Sequence, residues 1–132
     1  MNVGETINGM FRSQKTTWED IIKQKSAKWD ILIQAEISIY PMATRTTSAS
    51  FYIAKAIESI QRIENLRYEI NAMGTILESD NMDIINTATK QMMETVHNLG
   101  IARVEVIIKI DSRRDKQVKM EEKLDSIKKQ MS

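Results

Sequence analysis

Three short segments contain the residues of this chain that are best suited to chemistry. They are Ala35 to Met42 (AEISIYPM), Met73 to Glu78 (MGTILE) and Ile108 to Lys116 (IKIDSRRDK). Glu36 places a carboxylate beside the hydroxyl of Ser38, which suits a ligand that is cationic or donates hydrogen bonds. Asp111 and Asp115 are two further carboxylates. Because catalytic metal sites usually draw on three protein ligands, this pair does not predict a metal site.

The sequence offers little for catalysis. His97 is the single histidine, and it lies near the end of a predicted helix, where the protonated form is favoured. No motif supplies it with a serine partner, and the absence of cysteine excludes a thiol nucleophile, disulfides and thiolate metal ligands. An enzyme would have to rely on His97, Asp111 and Asp115. We therefore expect no enzymatic activity, no cofactor and no metal.

A cluster of hydroxyl residues precedes a predicted helix and comprises Thr44, Thr46, Thr47, Ser48 and Ser50. The N–H groups and the dipole of a helix N-terminus attract anions, so a phosphate group is one candidate occupant. The alternative is that Thr47 or Ser48 caps the helix and the other hydroxyls are solvated. The sequence leaves both interpretations open.

The composition is typical of a globular protein and does not favour a nucleic-acid-binding or membrane-spanning protein. The 132 residues include 19 basic and 18 acidic side chains, so no large positive field favours nucleic acid. Hydrophobic residues make up 42% and charged residues 28%, as in globular proteins. No apolar run reaches the length of about 20 residues that a membrane span needs, and no secretory signal is evident. We expect a cytoplasmic protein.

Hydrophobic periodicity predicts the elements that position these residues. Alternation from Ile31 predicts a strand that Pro41 ends, and the stripe Ile53, Ile57, Ile60, Ile63 predicts a helix ending near Asn65. The chain then continues with strands at 67–71 and 73–78, a helix at 83–99 that Gly100 stops, a strand at 104–111 and a helix at 117–130. This order predicts an α+β, ferredoxin-like βαββαβ domain with an added C-terminal helix. We assign residues 29–132 to that domain and residues 1–28 to an extension with a short helix, Thr17 to Lys25.

In this topology both crossing helices cover one face of the sheet. The other face would carry Leu32, Gln34, Glu36, Ser38, Tyr40, Leu77, Arg103, Glu105, Ile107, Lys109 and Asp111. The apolar side chains in that set predict that two sheets associate. Within such an interface Glu36 needs a partner, which is either Lys109 or Arg103 across the strands or a bound ligand.

The three segments resemble the family of small thiamine-binding proteins (YkoF-like, also known as DUF77). The resemblance runs from about Gln34 to Met131, in matching order and spacing. It implies binding of thiamine or of its hydroxymethylpyrimidine moiety, and assembly as a homodimer or homotetramer. The chain departs from the family at Met93, where relatives have histidine, and at Ala43 and Ser79, where they have glycine.

The resemblance and the strand pattern together suggest candidate sites. Glu36, Ser38 and Thr75 would bind an aminopyrimidine, and Tyr40, Met73 and Leu77 would supply apolar walls. Thr44, Ser48 and Ser50 would receive a phosphate. The interface candidates are Ile107, Lys109, Asp111, Arg113, Arg114 and Asp115. The rival hypothesis is a structural oligomer that binds no small molecule.

Overall fold

The computed structural model of the chain describes residues 32–131. The strands are β1 (Ile33–Pro41), β2 (Arg67–Ile70), β3 (Thr75–Ser79) and β4 (Val104–Ser112), and the helices are α1 (Ser50–Ile60), α2 (Met82–Asn98) and α3 (Met120–Gln130). Each element predicted within this range is confirmed, with differences at its ends. The predicted extension, including its helix from Thr17 to Lys25, lies outside the described residues and stays a prediction.

The strands form one antiparallel sheet in the order β2-β3-β1-β4. β1 is therefore central, and it pairs with β3 through Ile37 and Thr75 and with β4 through Ile37 and Ile108. With α1 after β1 and α2 after β3, this is the split βαβ arrangement of a ferredoxin-like fold. The predicted fold class is confirmed.

The core lies between one face of the sheet and the helices α1 and α2. Alternation along β1 directs every second side chain to this face. The buried cluster comprises Ile33, Ala35, Ile37, Ile39, Ala56, Ile57, Ile60, Tyr68, Leu77, Ile85, Ala88, Met92, Val96 and Ile101. Burial of each large aliphatic side chain contributes about 1.5–3 kcal/mol. A slip of one residue in register would expose the set, so burial determines which residues face the opposite side.

Leu77 and Thr75 belong to this core, and the prediction that Leu77 lies on the opposite face is wrong. Leu77 pairs with Ala35 and with Tyr68, both core residues, and is fully buried. Thr75 is 3% exposed. The segment TILES has apolar residues at two adjacent positions, so its own pattern does not show which one faces the helices.

α1 is shorter than its apolar stripe predicts. It ends at Ile60 instead of continuing to Asn65, which has a positive φ of 63° in the loop that follows. Its buried residues are Ala56, Ile57 and Ile60, whereas Ile53 is 36% exposed. The stripe at intervals of three and four therefore predicts about one helical turn too many at the C-terminal end.

Ala43 has a φ of 59°, which lies in the left-handed region. This conformation costs an alanine roughly 1–2 kcal/mol because its Cβ approaches the following carbonyl oxygen. Glycine, which the resemblance to the family implies at this position, would adopt the conformation freely. Ala43 therefore strains the loop after β1.

α3 lies apart from the main core. Its predicted apolar stripe buries only Met120, and the exposed fractions of Leu124, Ile127 and Met131 are 49%, 59% and 71%. Between residues 32 and 131, no helix is long and apolar enough to cross a lipid bilayer.

Candidate functional site

The open face of the sheet, opposite α1 and α2, is arranged in rows that run across the strands. The register aligns Arg67, Glu78, Gln34 and Asp111, one from each strand, and we call these the anchor row. The next row consists of Glu69, Ile76, Glu36 and Lys109, and we call it the floor row. Because side chains alternate along a strand, both rows project from the same face.

α3 is held against this face by the anchor row. Arg67 forms an ion pair with Glu121, and Asp111 forms one with Lys123. Glu78 Oε2 accepts a hydrogen bond from the backbone N–H of Met120 at 2.8 Å. Gln34, which accepts a hydrogen bond from Lys123, also donates to the carbonyl oxygen of Val118 at 2.7 Å. Each of the four strands thus contributes at least one polar contact to α3 or to the segment that leads into it.

A cleft of about 460 Å³ lies on the open face beside α3, a size within the usual range for small-molecule sites. It is lined by Gln34, Ala35, Glu36, Glu69, Ile70, Asn71, Ile76, Lys109, Asp111, Met120, Lys123 and Leu124. The floor row forms its base, and Met120, Lys123 and Leu124 of α3 form one side.

Two carboxylates in the cleft have no counter-ion among the described residues. The side chains of Glu36 and Glu69 take part in none of the ion pairs or hydrogen bonds between residues 32 and 131. They flank Ile76 in the floor row. Lys109, although opposite Glu36 in register, lies beyond ion-pair distance, and Arg103 pairs instead with Glu105 at 3.2 Å. The cross-strand pair considered for Glu36 is therefore not formed.

Gly74 allows the β2–β3 hairpin to approach β1 beside the cleft. A Cβ at this position would lie 3.1 Å from the carbonyl oxygen of Ile37 and 3.5 Å from Cγ of Glu36. A side chain here would displace the hairpin or Glu36.

Three of the predicted ligand residues lie on or near the open face but outside the cleft lining. Ser38 donates a hydrogen bond to the carbonyl oxygen of Met73 at 3.1 Å, which ties the hairpin to β1. Met73 is 84% exposed. Tyr40 lies further along β1, opposite Glu105. Thr75 and Leu77 face the core and do not line the cleft.

The hydroxyl cluster is separated from Glu36. Thr44, Ser48 and Ser50 follow Pro41, which is five residues beyond Glu36 and hence about 16 Å along the strand. Their hydroxyls bond within the loop: Thr44 to the carbonyl oxygen of Thr46 at 2.5 Å, and Ser48 to Ser50 at 2.9 Å. The fold does not bring a phosphate site in this loop to the cleft.

The predicted interface residues divide between the open face and the loop after β4. Ile107, Lys109 and Asp111 project from the open face of β4. In the loop, the guanidinium of Arg113 donates to both carboxylate oxygens of Asp115, at 2.5 and 2.8 Å. This hydrogen bonding lowers the pKa of Asp115 to about 2. Arg114 is exposed.

The residues that an enzyme would need do not converge. Asp111 is paired with Lys123 and Asp115 with Arg113. Nδ1 of His97, at the end of α2, lies 2.8 Å from the carbonyl oxygen of Ile101, on the other side of the sheet. No group of three histidine or carboxylate residues within 32–131 is placed to hold a metal ion.

The family departures at Met93 and Ser79 also lie away from the cleft. Met93 is on α2, which packs against the core face. Ser79 is fully buried, and its hydroxyl accepts a hydrogen bond from the backbone N–H of Asn81 at 3.2 Å. Neither residue contributes to the cleft lining.

Sequence reasoning missed several members of the site, namely Gln34, Glu69, Ile76, Glu78 and Lys123. Glu78 and Gln34 were visible as polar positions in strands, and the pairing of Glu78 with Gln34 follows once the β1–β3 register is known. The sequence does not indicate a role for Lys123, because the contacts of this side chain depend on where α3 docks on the sheet.

Comparison with known proteins places the chain in a family. Residues 35–128 match the family model described as thiamine-binding protein. A UPF0045 protein of Methanothermobacter thermautotrophicus is 40% identical over 97 residues, which cover 74% of this chain and 97% of that protein.

Two solved structures share the fold. A Methanocaldococcus jannaschii protein has a TM-score of 0.67 at 41% identity, covering 74% of this chain and 96% of that one. A protein of Thermotoga maritima whose name refers to thiamine biosynthesis or salvage has a TM-score of 0.61 over 73% of this chain and 98% of its own. Its 21% identity supports the fold alone. On the match over residues 35–128, the chain belongs to the thiamine-binding protein family.

Proposed function

We propose that the cleft binds a small cationic heteroaromatic molecule, thiamine or a compound that contains its hydroxymethylpyrimidine moiety, without catalysing a reaction on it. Membership of the thiamine-binding protein family supports this class of ligand. We also propose that the protein acts in the cytoplasm.

The observation that carries the proposal is the pair of carboxylates, Glu36 and Glu69, that face the cleft without a counter-ion among residues 32–131. A carboxylate on a partly buried surface is costly unless it is paired, so a cationic ligand gains from both the charge and the hydrogen bonds. The thiazolium ring of thiamine carries a permanent positive charge, and the aminopyrimidine amino group donates hydrogen bonds.

The remaining lining fits a flat ring. Ile76 lies between the two carboxylates on the cleft floor, and Met120 and Leu124 offer apolar contacts from α3. Apolar contacts combined with polar groups that fix the orientation of the ligand are typical of specific small-molecule sites. Of the residues named from sequence, Glu36 is the one that keeps a ligand role in this arrangement.

Calorimetric titration of the full chain tests the proposal. Thiamine should bind. An analogue of thiamine that carries an uncharged ring in place of the thiazolium should bind more weakly, because it lacks the positive charge. Absence of heat with thiamine and with hydroxymethylpyrimidine, for a folded protein at millimolar ligand, would contradict the proposed function.

We also infer that a second copy of the chain covers the apolar groups on this side of the molecule. Ile107 on β4 is 64% exposed, and the exposed Leu124 and Ile127 belong to α3, which lies on the same side. Family resemblance favours a homodimer or homotetramer. If assembly persists in a protein that binds no thiamine, the rival hypothesis of a purely structural oligomer gains support.

A further inference from the structure

The N-terminus of α3 is capped by a residue of the sheet. The residue at the N-cap position is Lys119, whose side chain makes no capping hydrogen bond. The first N–H groups of a helix need acceptors from outside the helix. For Met120 this acceptor is Oε2 of Glu78, a residue of β3 that is 42 positions earlier in the chain. Glu78 thus performs for α3 the role that a local serine or aspartate performs in most helices.

Glu78 is fully buried, and its contacts are divided unevenly between its two oxygens. Oε2 accepts from Met120 and, at 2.7 Å, from Nε2 of Gln34. Oε1 has no hydrogen-bond partner among the described residues. Burial of a carboxylate opposes docking of α3, whereas the two hydrogen bonds and the positive end of the helix dipole favour it.

Apolar packing adds little to the docking of α3, because Met120 is its single buried residue. Docking therefore depends on polar contacts with the anchor row. Among these, the contact with Glu78 is the one shielded from water, and a charge-assisted hydrogen bond is strongest where solvent is excluded.

The position of α3 determines the shape of the cleft. Met120, Lys123 and Leu124 line it, and Met120 is the residue whose N–H binds Glu78. Glu78 itself is not part of the lining. A change at Glu78 would thus move one side of the cleft without removing a group that a ligand touches.

We propose that Glu78 is a positioning residue for the ligand: it caps α3 and holds it over the sheet, so that affinity depends on a carboxylate the ligand does not contact. This inference rests on the proposed function for its ligand. The capping of α3 is measurable without any ligand.

Hydrogen exchange and thiamine titration on Glu78→Gln test the inference together. The substitution keeps the size of the side chain but removes the charge and buries an NH₂ group in place of the unpartnered oxygen. Amide exchange in α3 should accelerate about tenfold or more, and the Kd for thiamine should rise by a similar factor. Exchange of core amides in β1 and α2 should change much less, which separates loss of docking from general destabilisation.

Glu122→Gln is the matched control. Glu122 is exposed in the first turn of α3, so this variant removes the same charge near the same helix end without a contact to the sheet. Its exchange rates and Kd should stay within about twofold of the wild type.

Arg67→Met provides a second test should Glu78→Gln fail to fold. It removes the Arg67–Glu121 pair and should loosen α3 in the same direction by a smaller factor.

Linkage gives a reciprocal check, because a ligand whose affinity depends on docked α3 must favour docking. Saturating thiamine should therefore slow exchange in α3 of the wild-type protein. Unchanged α3 exchange in Glu78→Gln would overturn the inference, as would a loosened α3 with unaltered thiamine affinity. A wild-type protein that binds no thiamine would contradict the proposed function and, with it, the ligand-positioning role of Glu78; α3 exchange would then still decide whether Glu78 caps and holds α3.

Discussion

At the scale of single residues, the pairing of carboxylates differs within the open face. Glu105, outside the cleft, has Arg103 at 3.2 Å, whereas the side chains of Glu36 and Glu69, inside it, have no such partner between residues 32 and 131. The difference matters because an exposed ion pair contributes little, about 0–1 kcal/mol, whereas a carboxylate inside a cleft gains more from a charged ligand.

Glu36→Gln should weaken thiamine binding by about 1.5–3 kcal/mol, the range of a charge-assisted hydrogen bond. The variant retains the size of the side chain and removes its charge. Glu105→Gln is the control, since Glu105 lies on the same face outside the cleft. Calorimetric titration of both variants measures the effect. Unchanged affinity in Glu36→Gln would exclude Glu36 from the site.

Ala43→Gly should stabilise the protein by about 0.5–1 kcal/mol. Relief of the left-handed strain favours glycine by about 1–2 kcal/mol, and the greater freedom of glycine in the unfolded chain offsets part of this gain. Urea unfolding measures the difference. The control is Ala102→Gly at an exposed loop residue without positive φ, where destabilisation is expected. A loss of stability in both variants would show that Ala43 is not strained.

At the scale of elements, β2 is attached to the core through Tyr68. This residue is 3% exposed and pairs with Leu77 of β3. Burial raises the pKa of Tyr68 to about 12, partly countered by a hydrogen bond with Gln61 at the end of α1. The ionised phenol is therefore poorly tolerated between β2 and α1.

Stability should consequently fall at high pH. Because the folded-state pKa of Tyr68 is raised above the usual value of about 10, its contribution is complete below pH 10 and is lost as the pH rises through about 12. Unfolding by urea at pH 9 and at pH 12 measures the loss. Tyr68→Phe should reduce this pH dependence, and an equal loss in the variant would assign it to other groups.

At the scale of the whole molecule, the two faces of the sheet differ in what covers them. α1 and α2 bury one face, while α3 covers the anchor row of the other and leaves Ile107 and Tyr40 exposed. An apolar surface of this kind usually marks an interaction site. It supports the proposal that copies of the chain associate through the open face.

Ile107→Asp should reduce the oligomeric state, because an unpaired charge buried in an interface costs several kcal/mol for each copy. Light scattering after size exclusion measures the mass. Phe51→Asp serves as the control, since Phe51 is exposed on α1, which lies on the opposite side of the sheet. A folded Ile107→Asp protein of unchanged mass would rule out this face as the interface.

Local patterns were sufficient for much of the fold and for part of the site. Alternation along β1 places Ile37 in the core and Glu36 on the open face, because the pleat of a strand is a property of neighbouring residues. The stop at Gly100 is likewise local, and its φ of 99° is one that glycine adopts without strain. The element order then predicted the ferredoxin-like topology.

The other features of the fold and of the cleft depend on contacts between residues far apart in the sequence. The orientation of Leu77 depends on its register with Ala35, which the five residues of β3 do not reveal. The cap that Glu78 provides for Met120 joins residues 42 positions apart, and the Lys123–Gln34 contact joins residues 89 apart. Such pairs have no sequence signature, because their geometry exists only after the sheet has formed and α3 has docked across it. Alternation identified Glu36 as a candidate, and packing in three dimensions combined it with Glu69, Ile76 and α3 into a cleft.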